Sequence, residues 1–458
     1  MLDVLHNRAY RHLFAAQVIA LVGTGLLTVA LGLLAYQLAG ERAGAVLGTA
    51  LAIKMVAYVA VAPIAQALSH RLPRRAVLVG MDLIRAAIAL LLPFVTEVWQ
   101  VYALIFALQS ASAAFTPTFQ ATIPDVLPDE RDYTRALSLS RLAYDLENLT
   151  SPALAAALLT VIDFHALFGG TVVGFLGSGA LVLSVSLPMP PRADRTGVYD
   201  RTTRGARIYL ATPRLRGLLA LNLSVAAAGA LVIVNTVVIV RALLGRPDTD
   251  VALALGAFGA GSMLAALGLP RLLDRMSDRR VMLWAAASLG AVLLAFAALL
   301  AGGSWQDGNA IASSSSPWAW PALLAAWSLL GLGYSAAQTP IGRLLRRSAQ
   351  AQDRPALFAA QFALSHAAWL VTYPLAGWLG TVAGLPVTLA VLGGLTLASA
   401  VLAAQLWPTA DPEVVEHAHP GLAADHPHWR EHPGHKPRHA HPFVIDELHR
   451  HWPAPRAG

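Results

Sequence analysis

The chain has no cysteine, two lysines and 13% charged residues in a length of 458, and each scarcity removes a class of protein. Without Cys there is no disulfide framework and no thiolate site for Cu(I) or other soft ions. A charged share about half that of an ordinary soluble domain does not suit a large soluble enzyme. The lysines, Lys54 after Ile53 and Lys436 after His435, form neither the Gly-Lys of a P-loop nor the Asp-Lys-Thr of a phosphorylated pump. Work against a gradient must then be driven by a second gradient or by a partner subunit.

What is present is apolar. Hydrophobic residues make up 56% of the chain, and the excess lies in Ala, Leu, Val and Gly, the residues of closely packed membrane helices. Runs long enough to cross a bilayer are expected at 13–39, 44–68, 76–96, 98–122, 136–162, 164–187, 215–243, 250–270, 281–301, 317–341, 356–380 and 385–407. The expectation is an all-α membrane protein with twelve transmembrane helices in two six-helix halves. Because a bilayer offers no water to exposed amides, the runs carrying Pro93, Pro117, Pro152 and Pro374 are expected to be helical too.

The start, MLDVLHNRAYRH, lacks a cleavable-signal layout, so the first helix reads as a signal anchor. With the N-terminus in the cytosol, 27 of the 33 Lys and Arg fall in internal segments. Only Arg42, Arg241 and Arg246 fall outside, and Lys54, Arg85 and Arg141 lie within spans. That asymmetry places both termini inside and accounts for the net charge of +7 without nucleic acid. The division is an N-terminal half, 1–187, a Pro- and Arg-rich cytosolic linker, 188–214, a C-terminal half, 215–407, and a tail, 408–458. PIAQALSHRLPRRAVLVGMDLIRA from Pro63 resembles PRLLDRMSDRRVMLWAAASLGA from Pro270, and Thr116-Pro117 and Pro152 correspond to Thr339-Pro340 and Pro374. Two six-helix repeats with binding near the midplane between them follow.

Ten of the fifteen His lie in the last 51 residues: His417, His419, His426, His428, His432, His435, His439, His441, His449 and His451. Four His-x-His pairs put two imidazoles on one side of an extended chain, and the interleaved prolines prevent a helix. The tail is expected to be disordered and to bind a metal suited to imidazole: Ni, Co, Cu or Zn. The bland alternative is a solvated tail or an expression tag.

Ionisable residues inside spans are functional candidates. Helix spacing sets Arg141, Asp145 and Asn148 on one face of the fifth span, with Glu147 on another. By rise per residue, Asp145, Lys54 and His366 lie near mid-membrane. Arg141 with Asp145 reads equally as a neutralising ion pair, and His366 as a packed core residue or as a metal or proton ligand. Glu147 is the candidate carboxylate for exchanging a divalent cation against protons. Asp82 and Arg85, i and i+3 in the third span, read as structural or gating.

These features together resemble the major facilitator superfamily, in the branch related to macrolide and enterobactin exporters, and within it the nickel-resistance exporters with His-rich C-terminal tails. The superfamily's loop motif, Gly-x-x-x-Asp-Arg-x-Gly-Arg-Arg, is matched in QALSHRLPRR by Arg71, Arg74 and Arg75, whereas Gln66, His70 and Pro73 replace its Gly, Asp and Gly. The second copy, DRMSDRR, keeps Asp274. The blocks FTPTFQATIPDVLPDE, ALSLSRLAYDLENL, RIYLATPRLRGLLALN and SHAAWLVTYPLAGWLG are similar to the nickel exporters. The resemblance implies alternating access coupled to protons, with Arg71, Arg74, Arg75, Asp82, Arg85 and Asp274 in gating. The expected activity is export of Ni²⁺, with cobalt as a second ion, by a monomer in a bacterial inner membrane that has no resident cofactor. Its partners would be the ion, protons and the lipid bilayer. The rivals are a multidrug or siderophore exporter and a membrane-anchored metal sensor.

Overall fold

The computed structural model describes residues 2–69, 73–187, 198–301, 318–350, 353–419, 428, 438–446 and 448–453. Its helices are α1 (Arg8–Ala39), α2 (Ala43–Ser69), α3 (Arg74–Leu91), α4 (Val98–Val126), α5 (Glu130–Leu158), α6 (His165–Leu183), α7 (Val198–Ala211), α8 (Pro213–Val237), α9 (Asp248–Leu273), α10 (Asp278–Ala301), α11 (Ala319–Gln338), α12 (Ile341–Arg347), α13 (Arg354–Val382) and α14 (Gly384–Leu406). All but α7 and α12 are long, which gives the twelve helices read from the apolar runs. Nine described segments are long and apolar enough to cross a membrane, one of them spanning both α1 and α2. α5 and α11 are not among them; the polar first half of α5 holds Arg131, Asp132 and Arg135 and its middle Arg141, Asp145 and Glu147.

Local chemistry sets the ends. Asn7 caps α1 by accepting the Tyr10 N–H at 3.1 Å, and Asp129 caps α5 by accepting that of Asp132 at 3.0 Å. At the start of α4, Gln100 Oε1 accepts the backbone N–H groups of Thr96 and Glu97 at 2.9 and 3.1 Å. Pro117, Pro152 and Pro374 lie inside helices as expected. Pro93 does not: it sits in the 3-10 turn Leu92–Phe94 that follows α3, since its ring removes a donor and crowds the preceding turn. The 188–214 segment, expected to be a linker, contains α7 and the start of α8.

Within each half, α1 packs on α6 and α2 on α4, while α8 packs on α14 and α9 on α11; the halves meet where α2 lies on α13 and α5 on α9. The α2–α13 seam is closest at the end of the bundle opposite the two chain ends. A Cβ on Gly48 would lie 2.5 Å from the Tyr373 carbonyl oxygen, and one on Gly377 would strike Gly44, so only glycine permits the approach. Trp378 donates to Thr49 at 3.0 Å, and Asn235 of α8 to the Ala376 carbonyl at 3.1 Å. Arg241 stands over the Tyr36 ring at 5.5 Å. The halves are therefore sealed together on the face opposite the termini.

The described residues of the tail depart from the expected disorder. β1 (Val414–Ala418) and β2 (Arg438–Pro442) form an antiparallel pair with His417 opposite His439. The reason is chemical: the extended backbone that the prolines enforce still carries N–H and C=O groups, and pairing two such segments satisfies them.

Candidate functional sites in the membrane and in the tail

Below the α2–α13 seal, α2 carries Lys54 and, one turn on, Tyr58. α5 brings Glu147 and α13 brings Phe362 and His366. Of the expected midplane groups, Lys54 and His366 are half-buried, as is the candidate carboxylate Glu147, and Lys54 is within electrostatic reach of both Glu147 and His366. Glu147 packs with Ser151 against Gly25 of α1. His366 donates from Nδ1 to the Phe362 carbonyl at 2.7 Å, so its Nε2 carries the lone pair. The rings of Tyr58 and Phe362 lie 5.8 and 3.9 Å from that of His366. Sequence reasoning passed over Tyr58 and Phe362, although their i+4 and i−4 spacing from Lys54 and His366 is the signal for a shared helix face. The side chains of Arg141, Asp145 and Asn148 lie outside the described residues.

The Lys54 ammonium is thus within electrostatic reach of the Glu147 carboxylate of its own half and of the His366 imidazole of the other half, a set of ionisable groups that marks a functional candidate inside the bundle.

Arg85 is within electrostatic reach of Tyr58, but its direct partner is Asp82. The two pair with each other inside the first half, where Ser178 donates to Asp82 Oδ2 at 2.8 Å and Arg85 stacks over Phe115 and Phe175 at 4.1 and 4.4 Å. This pair fastens α3 to α4 and α6. Of the loop arginines, Arg74 pairs with Asp125 at 2.5 Å and Arg75 donates to the Leu183 carbonyl, while Arg71 lies outside the described residues. Asp274 is exposed. The second-half ion pair is made four residues on, by Asp278 with Arg343, because Asp278 opens α10 as Arg74 opens α3.

The tail makes a second site. Ring nitrogens of His417, His419, His428, His439 and His441, one from each, all lie within 4.8 Å of one another. His449 joins them, its Nε2 lying 3.0 Å from that of His417 and 3.1 Å from that of His419. Burial, reinforced by the neighbouring imidazoles, pushes His428 down to about 4, so at neutral pH its ring is uncharged and able to bind metal. Burial pushes Asp446 up, but hydrogen bonds from the His449 ring at 2.9 Å and from the His449 and Leu448 N–H groups hold it below the usual carboxylate range. His451 is exposed, and His426, His432 and His435 lie outside the described residues. The site is moored to the second half. Asp411 pairs with Arg214 at 3.0 Å and with Arg347, and accepts from Trp407 Nε1 at 3.1 Å. Phe443 and Ile445 are buried with Ile208, Tyr209 and Leu215.

Twelve long helices, a seam between halves and paired loop charges at matching places agree with the outcome of comparison. Residues 13–306 and 217–438 match the Major Facilitator Superfamily. The chain belongs to that superfamily. It is thus a multi-pass membrane transporter and not an enzyme. Macrolide efflux protein A of Streptococcus pyogenes is 26% identical over 181 residues, 38% of this chain and 44% of that protein, and the Enterococcus faecalis protein of the same name is 28% identical over 152 residues, 31% and 47%. The chain thus spans under half the length of these curated relatives. The crystal structure of a POT family transporter in complex with 5-aminolevulinic acid superposes with a TM-score of 0.67 at 10% identity, covering 86% of this chain and 95% of that one. A D-xylose-proton symporter superposes at 0.62 and 13% identity, covering 89% and 97%. Both share the fold.

Proposed function

We propose that this transporter exports divalent nickel, with cobalt as a second ion, from a bacterial cytosol in exchange for protons, with both termini inside. The observation that carries the reading is the tail cluster, five imidazole nitrogens within 4.8 Å on one moored hairpin. With no cysteine in the chain, the clustered imidazoles suit borderline ions rather than soft ones. The tail captures Ni²⁺ beside the cytosolic mouth. The ion then passes to Glu147 and His366, displacing Lys54 from the carboxylate, and leaves on the far side as protons take its place. Metal ligands must be deprotonated, so one site serves ion and proton in alternation. The likeness to macrolide efflux proteins supports the outward direction.

Inverted vesicles holding the chain test this: they should take up Ni²⁺ under an imposed pH gradient, and Glu147→Gln or His366→Ala should abolish that uptake. Wild-type vesicles that take up no Ni²⁺ overturn the reading. A second reading, a multidrug exporter whose tail binds metal incidentally, is favoured by the rings of Tyr58 and Phe362 beside His366. It predicts protection from bulky drugs with no change in nickel tolerance.

A further inference from the structure

The hairpin determines more than the presence of a metal. His417 and His419 alternate along β1 and just past it, and His439 and His441 along β2. The register that sets His417 opposite His439 therefore places four imidazoles on one face. His428 and His449 approach that group from outside the two strands, the first with its Nε2 2.9 Å from that of His439.

Tautomers follow from hydrogen bonds. His417 donates from Nδ1 to the Val415 carbonyl at 3.0 Å, His441 from Nδ1 to the Pro442 carbonyl at 2.9 Å, and His449 from Nδ1 to the Asp446 carboxylate at 2.9 Å. Each neutral ring then presents a lone pair at Nε2. The Nε2 atoms of His417 and His449 stand 3.0 Å apart, and neither can donate to the other. Two lone pairs so close are relieved by a cation between them, a proton or a metal ion.

The spacing also matches one coordination geometry more closely than another. With metal–nitrogen bonds of about 2.1 Å, neighbouring ligands lie about 3.0 Å apart on an octahedron and about 3.4 Å apart on a tetrahedron. The Nε2 separations here are 2.9, 3.0 and 3.1 Å. An octahedron's opposite ligands lie about 4.2 Å apart, within the 4.8 Å span of the group. His428, His439, His441 and His449 are each no more than 6% exposed, so imidazoles, not water, fill the positions around the ion. Asp446 orients His449 and raises its basicity, as outer-shell carboxylates do.

We propose that His417, His419, His428, His439, His441 and His449 close around a single six-coordinate divalent cation, so that the tail prefers octahedral ions such as Ni²⁺ and Co²⁺ to tetrahedral Zn²⁺. This rests on the reading of the tail as metal-binding and is independent of whether the chain moves that metal.

The purified full chain in detergent, titrated separately with Ni²⁺, Co²⁺ and Zn²⁺, tests it. One ion per chain should bind tightly, Co²⁺ should give the weak visible bands of octahedral coordination, and Zn²⁺ should bind less tightly than Ni²⁺. His449→Ala and His428→Ala should each weaken Ni²⁺ binding about tenfold or more, and Asp446→Asn about 10- to 100-fold with the stoichiometry kept, as outer-shell partners do. His451→Ala, at an exposed ring, should leave affinity unchanged. Unaltered gel-filtration profiles show that the variants remain folded. Intense tetrahedral cobalt bands, two tight ions per chain, or full affinity in His449→Ala would overturn the proposal. Vesicles that fail to transport Ni²⁺ while the protein binds it in this way would sink the transport reading and leave the site standing.

Discussion

Gly25 and Glu147 are neighbours with no room between them: a methyl group on Gly25 would lie 2.6 Å from Glu147 Oε1, and it would collide with the Ser151 side chain. The carboxylate owes its place to a missing side chain on α1. Gly25→Ala should therefore cost about 1–3 kcal/mol by overpacking and, by displacing Glu147, lower Ni²⁺ uptake further than the stability loss explains. Gly32→Ala is the control, because that position faces open space. Uptake and thermal denaturation of the two variants, measured together, check this. Equal uptake in both would separate Glu147 from transport.

Some of this was legible in sequence and some was not, for physical reasons. The long helices were legible because each must bury or shield its own backbone, and that demand is written in run length. Glu147, Lys54 and His366 were legible because a charge within such a run is conspicuous. The partners were not: Tyr58 and Phe362 look like ordinary apolar-run aromatics until α2 and α13 are seen to touch. Asp125, Asp278 and Arg343 look like loop charges until helix ends are placed in space. The hairpin was hidden because its register joins His417 to His439 across more than twenty residues of intervening chain, and periodicity carries no information over that distance. α7 was hidden by the polar character of the segment that contains it.

The two halves carry matching ion pairs with the signs exchanged. Arg74 opens α3 and meets Asp125 near the end of α4, whereas Asp278 opens α10 and meets Arg343 of α12. Arg74→Ala should cost about 1.5–3 kcal/mol, the range for a hydrogen bond to a charged group. The exchange Arg74→Asp with Asp125→Arg should recover part of that loss. A double-mutant cycle on thermal denaturation gives the coupling, and additive losses with no recovery would show that the pair is incidental.

Arg214 is 1% exposed and depends on Asp411 at the root of the tail. Removing one partner of a buried pair costs about 3–5 kcal/mol; Arg214 also stacks over Trp452 at 5.0 Å, so the lower end is expected for Asp411→Ala. It follows that where the tail is cut matters. Truncation after Glu413 removes every tail imidazole together with the buried Phe443 and Ile445 yet keeps Asp411, and should weaken nickel resistance while leaving transport intact and lowering thermal stability by less than a cut that also removes Asp411. Truncation after Pro408 should lower stability further, by the loss of the Arg214 partner. Denaturation midpoints of the two truncated chains distinguish loss of metal capture from loss of the Arg214 partner, and equal midpoints would contradict the assignment.

Acid should open the hairpin before it affects the helices. The folded structure holds His428 down at about 4 against an ordinary 6.5, first through burial and then through the imidazoles of His419, His439, His449 and His441. Between those values the unfolded tail binds a proton that the folded tail refuses, so stability is full above the upper value and declines as pH falls toward the lower. Hydrogen exchange across Val414–Ala418 and Arg438–Pro442, corrected for the intrinsic pH dependence, should show protection at pH 7.5 that is reduced at pH 5, while α8 stays protected at both. Bound Ni²⁺ competes with the protons for the same nitrogens, so adding it should restore protection at pH 5. Protection that is the same at both values would mean that His428 is not packed among the other rings.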